Sequence, residues 1–300
     1  MPPEPRTRSK HFEAKFYNLR ATLDCGQAFR WLEHNDTWTG VIHGQWIQIS
    51  NRQSGILVET TASSPKWDLI AGYFRFTEDI ESITKAFPDD EHMTRAVSAY
   101  RGLRLLRQDP WECLASFILS STKQIRHIRQ IISKIAKHHG EEIPSLPGHD
   151  PAFTFPGPET LAKLSENALR ELGMGYRAPY LRQTAQTIAA GKISLSEIGK
   201  LPYPKAKALL QQFAGVGPKI ADCVLLFAYG KQQAFPIDVW VKRAINELYF
   251  AGQKPNKGTL ENFAQTYFQP NSGYAQQYLF HYIRMMHTKG PQSNSPSSNL

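Results

Sequence analysis

Residues 209–240, LLQQFAGVGPKIADCVLLFAYGKQQAFPIDVW, constrain the fold more than any other stretch of the chain. Apolar residues recur at helical spacing on both sides of Ala214-Gly215-Val216-Gly217, which predicts two helices joined by a tight hairpin. Pro218 suits the first turn of the second helix, where an N–H would have no partner. Gly215 and Gly217 let the backbone turn sharply and let main-chain N–H groups approach an outside anion. The second helix adds unpaired N–H groups and a partial positive charge at its N-terminus. A plain turn between two helices would also use glycine. The full pattern, Leu-Leu-x-x-Phe-x-Gly-Val-Gly-Pro-Lys-Ile-Ala, is more specific, and it favours a clamp on nucleic-acid phosphate that reads no base.

Lys219 follows the hairpin directly. The helix dipole at that position disfavours an ammonium ion, and a neutral amine is a nucleophile that can form a Schiff base with a sugar carbon. A surface lysine binding phosphate is the plainer alternative. Asp238 tips the balance: it comes nineteen residues on, after Phe235-Pro236-Ile237 and ahead of another amphipathic segment. It is placed to cap that helix. A carboxylate at the mouth of the same cleft can also stabilise an oxocarbenium-like sugar and orient the lysine.

Composition narrows the class. The 300 residues are enough for two or three packed units, and 41% hydrophobic against 20% charged residues excludes wholesale disorder. Thirty-five Lys and Arg against 26 Asp and Glu leave +9, which suits a polyanionic partner. Residues 101–140 hold eight Lys or Arg and only Asp109 and Glu112, a net +6 that suggests a phosphate-facing surface rather than a solvated helix face. Cys25, Cys113 and Cys223 are far apart and form no Cys-x-x-Cys pair. That argues against a disulfide framework and excludes an all-cysteine iron–sulfur cluster or a four-cysteine zinc site. No apolar run has the length of a membrane span, and the N-terminal MPPEPRTRSK lacks the apolar stretch of a secretory signal. A soluble intracellular protein is expected.

The organisation reads as α+β. Residues 1–10 and 291–300 have tail composition. Within 11–100, short strands at 28–33, 38–42, 46–49 and 56–60 alternate with turns at His34-Asn35-Asp36, His43-Gly44 and 52–55, an antiparallel meander; 66–95 turns helical and acidic. Residues 101–290 form a larger helical body, with helices at 158–172, 178–190, 203–213, 219–228 and 239–248 and the hairpin unit at 203–229. Leu114, Phe117, Ile118, Ile125, Ile128, Ile132 and Ile135 mark one apolar helical face, interrupted at Ser120-Ser121-Thr122.

The hairpin, the lysine behind it and a Pro-x-Asp nineteen residues later resemble the helix-hairpin-helix DNA glycosylase superfamily with its Gly/Pro-rich loop and aspartate, and within it the 8-oxoguanine DNA glycosylase/lyases. Other blocks match in the same order: Gly26-Gln27-Ala28-Phe29-Arg30-Trp31, then Arg104-Leu105-Leu106-Arg107-Gln108-Asp109-Pro110, then Leu172-Gly173-Met174-Gly175-Tyr176-Arg177-Ala178, and last Ala275-Gln276 with Phe280. The resemblance covers about residues 16–288. It implies a small TATA-binding-protein-like antiparallel sheet domain joined to a two-part helical body. It also implies a monomer acting on double-stranded DNA that contains an oxidised purine, with no membrane partner and no metal or organic cofactor, in a bacterial cytoplasm or a eukaryotic nucleus.

The resemblance further implies a mechanism in which damaged DNA is bent and the nucleotide extruded. Lys219 attacks C1′ and expels 8-oxoguanine, a Schiff base permits β-elimination, and Asp238 is the electrostatic and acid–base partner. Gly26 resembles the glycine whose carbonyl accepts the N7–H that 8-oxoguanine has and guanine lacks; read alone, it is a turn glycine. Gln276 resembles the residue reading the Watson–Crick edge. Cys223 and Phe280 resemble the two faces that sandwich the base, although each also fits an apolar core stripe. Tyr176 resembles a wedge and Arg177 a donor to the orphaned cytosine. Thr122, Lys123 and His127 fall where the well-known eukaryotic enzymes carry an asparagine run and an arginine, and Trp240 replaces a histidine; these departures blur opposite-base selectivity. A glycosylase for another damaged purine, and a non-catalytic binder of DNA backbone, are the alternatives.

Overall fold

The computed structural model describes residues 7–120 and 124–289. Strands β1 (Arg8–Glu13), β2 (Leu32–His34), β3 (Thr37–Ile42), β4 (Gln45–Arg52) and β5 (Gly55–Thr60) form an antiparallel sheet in the order β1-β5-β4-β3-β2. The turns follow from local chemistry. Asn35 and Asp36 (φ 46° and 60°), then His43 and Gly44 (φ 46° and 74°), supply the paired positive φ values that a two-residue hairpin requires. Period-two alternation sends Trp38 and Ile42 of β3 and Ile56 and Val58 of β5 inward, onto Trp31, Phe74 and the helices Leu19–Asp24 and Trp67–Phe74.

Two expectations for this region are corrected. Residues 8–10, read as tail, are paired strand: Arg8 opposes Thr60, and Phe12 further along stacks on Phe76 at 4.6 Å. The stretch 28–33 pairs only from Leu32, because Phe29 and Trp31 turn inward to separate cores instead of alternating across a sheet.

The helix Pro110–Ser120 runs through the middle of the helical body and is buried from Cys113 to Leu119. It packs on Pro218–Phe227, where Phe117 stacks on Phe227 at 5.6 Å. Burial of each such ring contributes about 2–3 kcal/mol. Ser272–Lys289 lies against Val239–Tyr249 and Glu91–Ala99. The helix expected over 158–172 is broken: Pro158–Lys163 ends at Leu164, Ser165 caps a new turn by accepting from Ala168 N, and Gly173 (φ 93°) ends the segment. The basic stretch 101–140 is also not one phosphate-facing surface. Arg104 is 1% exposed and donates to the carbonyls of Gly102, Lys15 and Glu78, while Arg126, Lys134 and Lys137 of Ile125–His139 do face solvent.

Sheet and helical body are tied through one glutamine. Gln27 is fully buried; its Nε2 donates to Thr22 O and Arg104 O, both at 2.8 Å, and its Oε1 accepts from Leu106 N at 2.8 Å. Leu103 and Leu105 enter the helical core while Leu106 enters the sheet core, so the crossing backbone has no other place for these groups. Gln108 completes the link, donating Nε2 to Gln27 O at 2.7 Å and its own N–H to Phe227 O at 2.8 Å. Gln27→Ala strands a buried N–H and two carbonyls, and is expected to lower unfolding free energy by roughly 2–4 kcal/mol in chemical denaturation. A loss under about 1 kcal/mol would show that the tie does not hold the two cores together.

Candidate active site

The helix-hairpin-helix forms as its residues dictate. Tyr203–Leu210 and Pro218–Phe227 pack on each other, and Val216 N–H donates to Phe213 O at 3.1 Å to close the turn. Gly215 has φ 77°, and an added Cβ would lie 2.8 Å from the Tyr180 ring. Gly217 differs: its backbone is extended (φ −87°, ψ −179°) and a Cβ there would meet nothing within 4 Å. The chain itself therefore does not require glycine at 217, and the open space beside a helix N-terminus suits an approaching phosphate. The two helices are locked by Lys207 and Tyr203 on the first, each 2.8 Å from a different oxygen of Asp222 on the second. Asp222 is buried, so this pair holds the helix that carries Lys219 and Cys223.

Lys219 is partly buried on the first turn of that helix, its Nζ 5.5 Å from the centre of the Phe117 ring. Among the described residues it forms no ion pair within 4 Å and no hydrogen bond. Its charge acts on two neighbours, Asp238 and Cys223. Asp238 caps Val239–Tyr249: Oδ1 accepts from Val241 N at 2.8 Å and Trp240 N at 3.0 Å. Both cap bonds use the same oxygen, and Oδ2 makes no hydrogen bond among the described residues. Burial raises the Asp238 carboxyl above its ordinary 3.8, against the Val241 N–H, the Lys219 charge and the Trp240 N–H, all of which lower it. The carboxyl that caps the helix is thus also the one on which the Lys219 charge acts.

Cys223 lies one turn beyond Lys219 on the same face. Burial pushes its thiol from 9.0 up to about 12, so it is an apolar wall and not a second nucleophile at neutral pH. Phe117 completes that wall and leads to Phe29, 5.5 Å away and three residues from Gly26.

Gly26 has φ +80°, and an added Cβ would fall 2.8 Å from Ile125 Cδ1, 3.3 Å from Arg284 Nη1 and 3.5 Å from Phe280 Cε1. The positive φ makes any side chain strained there, and a Cβ would also push Ile125 aside. Phe280 is therefore brought to Gly26. Gln276, one turn earlier on Ser272–Lys289, is 3% exposed, and its Oε1 has no hydrogen-bond partner. A buried, unpaired acceptor is costly unless something outside the chain satisfies it. Tyr176 is exposed, and Arg177 is buried with Nη2 on the Tyr176 hydroxyl at 2.6 Å and its guanidinium 4.2 Å over that ring. His127 is exposed on the first turn of Ile125–His139. Thr122 and Lys123 lie outside the described residues. Trp240 stacks near Arg243 and His287.

Three contributors escaped sequence reasoning. Phe117 was visible only as a member of an apolar stripe, Gln277 only as the neighbour of Gln276, and Arg284 as a charge one turn beyond Phe280. A cavity of about 530 Å³ lies elsewhere, between β2–β3, the helix Ile125–His139 and residues 148–153, with Arg30, Trp46, Arg129 and Phe153 among its walls. None of the predicted site residues lines it.

Residues 11–114 match the family model of the 8-oxoguanine DNA glycosylase N-terminal domain, and residues 115–270 match that of the HhH-GPD superfamily base excision DNA repair proteins. A probable N-glycosylase/DNA lyase of Methanothermobacter thermautotrophicus is 31% identical over 79% of this chain and 82% of its own length. An N-glycosylase/DNA lyase of Saccharomyces cerevisiae is 36% identical over 77% and 68%. The crystal structure of the Clostridium acetobutylicum 8-oxoguanine glycosylase/lyase, in complex with double-stranded DNA containing cytosine opposite 8-oxoguanine, superposes with a TM-score of 0.85 at 30% identity, covering 93% of this chain and 98% of that one. An amine beside a capping carboxylate, a phosphate-ready hairpin and these matches across both halves lead to one conclusion: the chain belongs to the HhH-GPD superfamily of base excision DNA repair proteins, and its N-terminal part is of the 8-oxoguanine DNA glycosylase type.

Proposed function

We propose that this chain is a bifunctional DNA glycosylase and β-lyase that flips 8-oxoguanine out of duplex DNA, with Lys219 as nucleophile and Asp238 as its partner. The observation that supports the assignment most is the amine of Lys219, in no hydrogen bond or ion pair among the described residues, with its charge acting on the buried carboxyl of the helix-capping Asp238. The hairpin N–H groups at 215–217 and the exposed basic side chains of Ile125–His139 take the DNA backbone. Tyr176 enters the vacated stack, and Arg177, released from it, turns to the orphaned cytosine. The extruded base lies between Cys223 and Phe280, with Gln276 on its Watson–Crick edge and the Gly26 carbonyl accepting N7–H.

The steps then balance. The Lys219 nitrogen forms a bond to C1′ as the C1′–N9 bond breaks and the base leaves with a proton. Positive charge developing on the sugar is stabilised by the Asp238 carboxylate in a partly desolvated site. The nitrogen loses a proton, the C1′–O4′ bond breaks with O4′ taking up a proton, and a protonated imine forms on Lys219. Loss of a C2′ proton then makes the C2′=C3′ bond as the C3′–oxygen bond breaks to release the 3′ phosphate, and water hydrolyses the imine to free the amine. Such an enzyme works wherever its DNA is held, in a bacterial nucleoid or a eukaryotic nucleus.

Two experiments test this reading. Borohydride added to the protein and an 8-oxoguanine·cytosine duplex is expected to trap a covalent adduct that Lys219→Gln abolishes; salt-sensitive binding without adduct or cleavage would instead mark a backbone binder. A panel of lesions distinguishes 8-oxoguanine from alkylated purines as the preferred substrate.

Asp238→Asn should lower the single-turnover excision rate on the order of 10²-fold or more. Because the carboxyl is raised, it protonates at a higher pH than an ordinary aspartate, so the native rate falls on an acid limb centred above pH 3.8. The stability sign is opposite to that of a salt-bridged aspartate. The folded state disfavours the charged form, so above the raised pKa Asp238 lowers stability. Asparagine keeps the cap acceptor, and the thermal midpoint of Asp238→Asn at pH 7 is expected to equal or exceed the native one. A variant excising at the native rate would remove Asp238 from the mechanism.

A further inference from the structure

The carbonyls on both sides of Gly26 are each held by a side chain from a different part of the fold. Arg284 donates Nη2 to Asp24 O at 2.6 Å, Gln277 donates Nε2 to Cys25 O at 2.9 Å, and Gln108 donates Nε2 to Gln27 O at 2.7 Å. The Asp24 carboxylate is held as well, by Arg129 Nη2 at 2.9 Å. Among the described residues the Gly26 carbonyl takes part in no hydrogen bond. A turn with positive φ has many neighbouring conformations open to glycine, so something must select one. Here side-chain donors pin the residues before and after it.

Arg284 holds the central place among these donors. While Nη2 is on Asp24 O, Nη1 lies 3.3 Å from where a Gly26 Cβ would be, and the guanidinium is 5.6 Å from the Phe280 ring centre. His281 Nδ1 lies 3.5 Å from Nη2 and supports the fork from the same helix. One planar group thus touches the loop that bears the Gly26 carbonyl and the ring proposed to stack on the base. Gln277 and Arg284 are seven residues apart on one helical face, with Phe280 and His281 between them. The face that carries the base-stacking ring is therefore the same face that pins the recognition loop.

We propose that Arg284 is a positioning residue for base discrimination: it fixes the backbone of residues 24–26 against Phe280 so that the Gly26 carbonyl meets N7–H of an oxidised purine in one geometry. This rests on the base-recognition reading above. The role needs the planar guanidinium and not charge alone, because Nη2 bonds Asp24 O beside His281 Nδ1 while the same group lies over the Phe280 ring, and a lysine ammonium is a point donor on a flexible stem.

The test separates base recognition from lyase chemistry, since an abasic site offers no base to read. Single-turnover excision of 8-oxoguanine opposite cytosine and strand cleavage at a preformed abasic site are measured for the native protein, Arg284→Met and Arg284→Lys, with thermal midpoints alongside. Arg284→Met is expected to lose on the order of tenfold or more in 8-oxoguanine excision, as small misplacements in a reacting complex do. Abasic-site cleavage is expected to stay within about threefold of native. Arg284→Lys, close to native in thermal midpoint, is expected to recover less than half of the lost excision. Parallel loss of both activities, or unchanged 8-oxoguanine excision in a folded Arg284→Met, overturns the inference; full recovery by lysine overturns the requirement for a planar guanidinium. If the native protein cleaves abasic sites but leaves 8-oxoguanine in place, the substrate assignment fails, which is a different outcome from any of these.

Discussion

The proposed partnership of Asp238 with Lys219 depends on two carboxylate oxygens that are not equivalent. One is bound to the N–H groups that begin the helix Val239–Tyr249, which fixes the side chain's rotamer and position. The other takes no part in these cap bonds, and the Lys219 charge acts on the carboxyl. A carboxylate held only by the lysine would form a closed salt bridge with it. A carboxylate held by backbone, partly desolvated, orients the amine without consuming it. The rest of the molecule keeps these two groups, nineteen residues apart, in one place.

That requirement explains how the scaffold is built. The helix bearing Lys219 is pinned to its hairpin partner by Asp222 with Lys207 and Tyr203, and to the central helix through Phe227 and Phe117. The same central ring, Phe117, meets Phe29, which follows the Gly26 loop, and Gln27 joins that loop to the backbone crossing between the two cores. The proposed catalytic amine and the proposed base-recognition loop come from distant parts of the chain, and buried polar ties hold them to a shared core. Such ties cost little while every group is satisfied, and they specify one arrangement, because each alternative leaves a buried donor or acceptor unpaired.

The chemistry was legible in the sequence where it is encoded locally. Hairpin, Pro218, Lys219 and Asp238 fall within about 30 residues whose turn and capping preferences act at short range, and the structure forms them as read. Gly26 and Phe280 became a pair only through the family resemblance, and the structure places them together. Long-range satisfaction was not legible. Nothing local says that Arg104 will be buried, since its partners are the carbonyls of Lys15 and Glu78, distant in sequence. The strand β1 needed β5 to exist, nearly fifty residues on, and a polar Pro-rich start gave no sign of it. Arg284 likewise donates to Asp24 O, 260 residues away in sequence, which no local pattern encodes.

The most direct measurement is the identity of the residue that carries the DNA. After borohydride reduction with an 8-oxoguanine·cytosine duplex, the adduct is digested with protease and nuclease, and the modified peptide is sequenced by mass spectrometry. The account predicts a single deoxyribose-derived mass on Lys219. A modification on another lysine or on the N-terminal amine, with Lys219 intact, would contradict it.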